Sequence, residues 1–100
     1  IAANDKLYVG PVVLCELVWV LEVSYKVPRA EIAQTLDDLL RAEHVVVDDA
    51  DGLARALAAF RAGKGDLADY VIRAQATAAG CEVVATFDRA LLREPGFVRP

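Results

Sequence analysis

Three short runs of strand type frame this chain: Leu7-Tyr8-Val9, Val45-Val46-Val47 and Val83 to Thr86. Long stretches of helical period separate them. Strands joined through helices cannot form tight hairpins, so they pair in parallel, and the crossover is right-handed in nearly all cases. The pattern predicts an α/β chain, a three-layer α/β/α sandwich around a parallel sheet. A crevice is then expected at the carboxyl ends of the strands.

Punctuation divides the helical stretches. Ile1 to Lys6 reads as a polar lead-in. Gly10-Pro11 closes the first strand, and Pro11 suits a first helical turn, where its missing N–H costs nothing. Val12 to Ser24 then reads as a helix that Val27-Pro28 breaks. A second helix starts at Pro28 with Ile32, Leu36, Leu39 and Leu40 on one face. After the valine run, Asp51 is placed to cap a helix whose stripe is Leu53, Leu57 and Phe60. Gly63-Lys64-Gly65 ends that helix. Another runs from near Asp66 to Ala79, with Gly80 at its C-terminus. Asp88 to Arg93 reads as a short helix and Phe97-Val98 as an edge strand. No linker or repeat divides the chain.

With 100 residues, 56% hydrophobic and 26% charged, the chain is a single domain with a packed core and no disordered tail. A net charge of −4 argues against a basic module that coats nucleic acid. It leaves room for a nucleic-acid enzyme whose acidic site takes metal ions. The longest apolar run, Val12 to Val23, contains Glu16 and Glu22 and is too short to span a bilayer, which needs about 20 residues. Cys15 and Cys81 lie in apolar segments and read as small core residues of a reduced, cytoplasmic protein. No secretion signal is visible. The sequence contains no methionine, and the natural chain is expected to begin earlier.

Four acids stand out. Glu16 has Val12, Val13, Trp19 and Val20 as helical neighbours, all apolar, so its carboxylate either bends to water or serves as a metal ligand or a member of a shared carboxylate cluster. Asp66 and Asp69 share a face at a helix start. Taken alone they read as an N-cap and a partner of Arg73 ahead of paired ligands. Asp88 follows the strand ending at Phe87, where it either caps the next helix or faces the crevice. Taken together, these hard oxygen donors suit Mg²⁺ or Mn²⁺ and phosphodiester chemistry. His44 is the only histidine, which leaves nothing for a Ser-His-Asp triad or a histidine-rich zinc site. Gly63-Lys64-Gly65 lacks the rest of a phosphate-binding loop pattern. Trp19 reads as core.

Three stretches, in this order, resemble the PIN-domain ribonucleases, and in particular the VapC-type toxins of bacterial toxin–antitoxin pairs. They are Tyr8 to Leu17, Gly65-Asp66-Leu67-Ala68-Asp69-Tyr70-Val71-Ile72 and Ala85-Thr86-Phe87-Asp88. Glu16 matches the family's helix glutamate, and Asp69 the aspartate before the hydrophobic helix. Asp66 matches a frequent extra acid, Asp88 the strand-end aspartate, and Thr86 a polar neighbour that supports it. The resemblance implies an endoribonuclease that cleaves single-stranded RNA with Mg²⁺ or Mn²⁺. Glu16, Asp69 and Asp88 would be catalytic, and Asp66 would join them around the metal. It also implies a homodimer and a VapB-like antitoxin protein that blocks the site. Lys64, Arg73, Arg89 and Arg93 flank the acids and would position phosphates, or form ordinary surface ion pairs.

The family pattern starts with a strand ending in a metal-binding aspartate, followed by a helix. This segment is expected upstream of Ile1, and the 100 residues without it are expected to be inactive. Gly10 stands where serine or threonine is common. Two rival functions remain open: a receiver-like phosphoacceptor domain using Asp48 or Asp49 after the valine strand, and a catalytically inert interaction domain. Against the receiver, no lysine follows Lys64.

Overall fold

The computed structural model describes residues 5–100, so most of the lead-in read at Ile1 to Lys6 lies outside the described residues. In chain order the elements are β1 (Leu7–Val9), α1 (Pro11–Val23), α2 (Arg29–Arg41), β2 (Val45–Val47), α3 (Ala50–Ala62), α4 (Leu67–Ala78), β3 (Val84–Ala85), a 3-10 turn (Leu91–Arg93) and β4 (Phe97–Val98).

Both strand pairings are parallel; β1 and β2 are joined through two helices, as a parallel pair requires, and β3 and β4 through a longer loop with one 3-10 turn. Leu7 stands opposite Val45 and Val9 opposite Val47 in one ladder. Val84 stands opposite Phe97 in the other. The fold is therefore α/β, with four α-helices among the described residues. Among the described residues the strands form two two-stranded ladders, β1-β2 and β3-β4, rather than one continuous sheet. β1 pairs on one side only, and Leu7 and Tyr8 are exposed, unlike the strands of a sheet covered on both faces.

The helices begin where local chemistry allows. Pro11 occupies the first turn of α1. Pro28, with extended backbone, stands before α2. α3 begins differently from the sequence expectation: its cap is Asp49 and not Asp51. Asp49 takes the left-handed conformation, φ 48°, and its Oδ1 accepts the Gly52 N–H at 3.0 Å. A side chain at Gly52 would collide with that carboxylate. α4 closes on Gly80, whose φ of +84° lets Cys81 N–H reach Ala76 O at 2.8 Å.

Phe60, Ile32, Leu14, Leu67, Tyr70 and Leu91 fill the centre. They come from all four helices and the 3-10 turn, so burial ties the termini of the fold together. Each large side chain buried this way contributes about 1.5–3 kcal/mol. α1 departs from the expectation of a tryptophan in the core. It buries Leu14 and Val18, while Trp19 is 61% exposed. A helix apolar on nearly every side gives no period from which to read its buried face. Cys81 is likewise exposed and Cys15 only half-buried. The strand read at Val83 to Thr86 shortens to two residues, and the helix read at Asp88 to Arg93 to one 3-10 turn.

Candidate acidic site at the start of α4

The first turn of α4 carries two carboxylates. Asp66 is its N-cap and Asp69 its third residue, joined in a capping box. Asp66 N–H donates to Asp69 Oδ2 at 2.9 Å, and Asp69 N–H donates to Asp66 O at 3.0 Å. Helix ends favour such acids, because four N–H groups there lack partners and the dipole is positive.

Capping does not account for the whole arrangement. Burial pushes the Asp69 carboxyl above its usual range, and the charges of Asp66, Asp88 and Glu94 push it the same way. Only the bond from the Asp66 backbone opposes them. Asp69 does not form the i,i+4 ion pair with Arg73 that the sequence allowed, unlike Asp37 and Arg41 on α2, which meet at 3.3 Å. Arg73 instead donates to the Pro95 carbonyl at 2.8 Å and lies over the rings of Tyr70 and Phe97.

Asp88 sits past the end of β3. Its N–H donates to Thr86 Oγ1 at 3.1 Å. Its Oδ1 accepts the N–H of Ala90 at 2.8 Å, which closes a turn ahead of the 3-10 turn, whose own N-cap is Ala90 rather than Asp88. Glu16 is exposed on α1, at the rim of an apolar groove of about 480 Å³ between α1 and α4, which Cys15, Trp19, Ala68 and Ile72 also line. Asp66 borders a smaller groove of about 80 Å³ together with Cys15, Trp19 and Glu22. The charge of Asp69 reaches Cys15, whose thiol is pushed up first by burial and then by that aspartate.

The structure thus brings Asp66, Asp69 and Asp88 into one negative field and sets Glu16 on the neighbouring helix. Sequence reasoning passed over two acids. Glu94 joins the field of Asp69, and nothing in the run Arg93-Glu94-Pro95 signals it. Glu22 has a buried Oε1 without a hydrogen-bond partner. The test that singled out Glu16 would have found it, since Val18 and Trp19 are its apolar helical neighbours. The two aspartates of the receiver-like alternative are engaged otherwise: Asp48 accepts from the Tyr8 hydroxyl, and Asp49 caps α3.

Comparison with protein families removes the receiver-like reading, because the model of the PIN domain matches residues 1–97. The chain belongs to the PIN-domain family. No curated protein and no solved structure matches it significantly. PIN domains are in general nucleases and typically use divalent metal ions, so a hydrolase activity on nucleic acid is the family's activity. The carboxylates of this PIN domain are the donor type such ions take. The crowding of charge on Asp69 is of the kind a cation relieves. The fit is partial, however: among the described residues no group of three or more acid, histidine or cysteine side chains stands close enough to hold an ion. No helix among them is long and apolar enough to cross a membrane.

Proposed function

We propose that this PIN domain is an endoribonuclease of the VapC toxin type that cleaves single-stranded RNA with Mg²⁺ or Mn²⁺. In this reading it acts in the cytoplasm as a homodimer, and a VapB-like antitoxin protein neutralises it. The observation that carries the reading is Asp69. It is half-buried, crowded by Asp66, Asp88 and Glu94, and has no cationic side chain paired to it among the described residues.

Glu16, Asp66, Asp69 and Asp88 would hold the ion, with Glu16, Asp69 and Asp88 the catalytic set. The ion, when bound, polarises a phosphate and lowers the pKa of an attacking water. Thr86 supports Asp88 by taking its N–H, while the bond from the Ala90 N–H uses Oδ1 alone. The exposed side chains of Lys64, Arg89 and Arg93 would guide the phosphate chain toward an otherwise acidic surface. Arg73 is committed to Pro95 and is the weakest candidate for that work.

The test is cleavage of a single-stranded RNA by the full-length protein in Mn²⁺, compared with Asp69→Asn and Asp88→Asn. Loss of cleavage in both variants, with the fold intact by circular dichroism, supports the reading. Full activity in both removes it.

A further inference from the structure

Gly65 immediately precedes the acid pair and is held on both sides. Its N–H donates to the Tyr70 hydroxyl at 2.9 Å. Its carbonyl accepts from Arg29 Nη2 at 2.6 Å. That carbonyl and the Asp66 N–H belong to one planar trans peptide unit, so they point in opposite directions. Arg29 therefore grips the oxygen side of the same unit whose N–H side holds Asp69 Oδ2.

The two gripping side chains are themselves anchored. Arg29 Nε donates to Phe60 O at 2.9 Å, and its guanidinium stacks 3.7 Å above the Phe60 ring. The Tyr70 hydroxyl reaches the Glu94 carboxylate, 2.8 Å from either oxygen. Tyr70 is 1% exposed and Phe60 is fully buried. These charge-assisted bonds are part-buried, and such bonds are stronger and more directional than neutral ones. Packing removes the remaining slack: a Cβ on Gly65 would stand 2.7 Å from Leu91 Cδ2 and 3.0 Å from the Tyr70 hydroxyl. A side chain at Gly63 would collide with Tyr70 and Glu94.

We infer that Arg29, Tyr70 and Glu94 are positioning residues for the acidic site: they fix the Gly65–Asp66 peptide and, through it, the direction in which Asp69 presents its carboxylate. The three come from the start of α2, from α4 and from the loop after the 3-10 turn, so the site's alignment depends on three separate parts of the fold. The inference rests on the reading of Asp66 and Asp69 as site acids.

The experiment uses Tyr70→Phe, which removes only the hydroxyl, and Arg29→Lys, which keeps the charge and loses the planar fork. Leu36→Val serves as a control that loosens the core on the same helix as Arg29, about two turns further on. Amide hydrogen exchange at Asp66 and calorimetric titration with Mn²⁺ alone are measured on all four proteins. In Tyr70→Phe and Arg29→Lys, Asp66 exchange should quicken about tenfold relative to Val71 within the same helix, and Mn²⁺ affinity should fall about tenfold, while the control changes neither. Asp66 exchange that moves no more than Val71 overturns the clamp, whatever the metal does. Faster Asp66 exchange with unchanged Mn²⁺ affinity makes Arg29, Tyr70 and Glu94, which acts through the Tyr70 hydroxyl, structural only and overturns their positioning role. A parent protein that binds no Mn²⁺ overturns the metal site and the role assigned toward it, while the exchange result still reports whether the clamp exists.

Discussion

Asp69 Oδ2 accepts the backbone N–H of Asp66 at 2.9 Å, so one bond ties together the two carboxylates of a single helical turn. That bond favours the ionised Asp69, and the surroundings oppose it. Burial acts most strongly, followed by the charges of Asp66, Asp88 and Glu94, and the carboxyl ends above its usual value.

A stability prediction follows from that sign. An acid whose folded pKa exceeds its ordinary 3.8 holds its proton more tightly in the folded state. Its contribution favours folding below that value and is lost as pH rises through the raised folded value. Asp69→Asn keeps an oxygen for the Asp66 N–H and removes the charge. The metal-free variant should melt at a higher temperature than the parent at pH 7, with the difference vanishing as the pH falls into the ordinary aspartate range. Thermal melts across that range check it; a variant that is less stable at pH 7 contradicts it.

The field of Asp69 should also be readable from α1. Cys15 is half-buried and its thiol is raised by burial and then by Asp69, whereas Cys81 is exposed. Alkylation followed by mass spectrometry should therefore modify Cys81 first in the parent. In Asp69→Asn the Cys15 rate should rise while the Cys81 rate stays constant. Equal acceleration of both would point to loosening of the fold instead.

Asp48 and Asp49 are expected to serve structure. Asp49→Ala removes the cap of α3 and should cost about 1 kcal/mol, measured by urea unfolding, with RNA cleavage unchanged. Asp48→Asn should likewise leave cleavage near the parent rate, since its partner is Tyr8. Loss of function in Asp48→Asn with Asp69→Asn fully active would restore the receiver-like alternative.

Where local chemistry governs, the sequence was legible. Gly10-Pro11, Val27-Pro28 and Gly63-Lys64-Gly65 mark the ends of helices because backbone sterics act within a few residues. The stripes Ile32-Leu36 and Leu53-Leu57-Phe60 are buried because the helical period puts each on one face. The cap of α3 was misread because three aspartates crowd one turn, and only the left-handed backbone of Asp49 selects among them. Trp19 was misread because α1 offers no polar face to contrast with an apolar one. At the site, the spacing of Asp66 and Asp69 announces a shared turn. The approach of Glu94 and the grip of Arg29 on Gly65 are tertiary facts, made by chain segments far apart in sequence, and no local pattern carries them.

The most direct test of the central claim is cleavage of single-stranded RNA by the full-length protein in Mn²⁺, in excess EDTA, and as Asp69→Asn in Mn²⁺. The account predicts cleavage in Mn²⁺, none in EDTA, and a loss of at least about 100-fold in the variant, the scale on which a preorganised charge contributes to catalysis. Cleavage that persists undiminished in excess EDTA, or an Asp69→Asn variant that cuts at the parent rate, would contradict it.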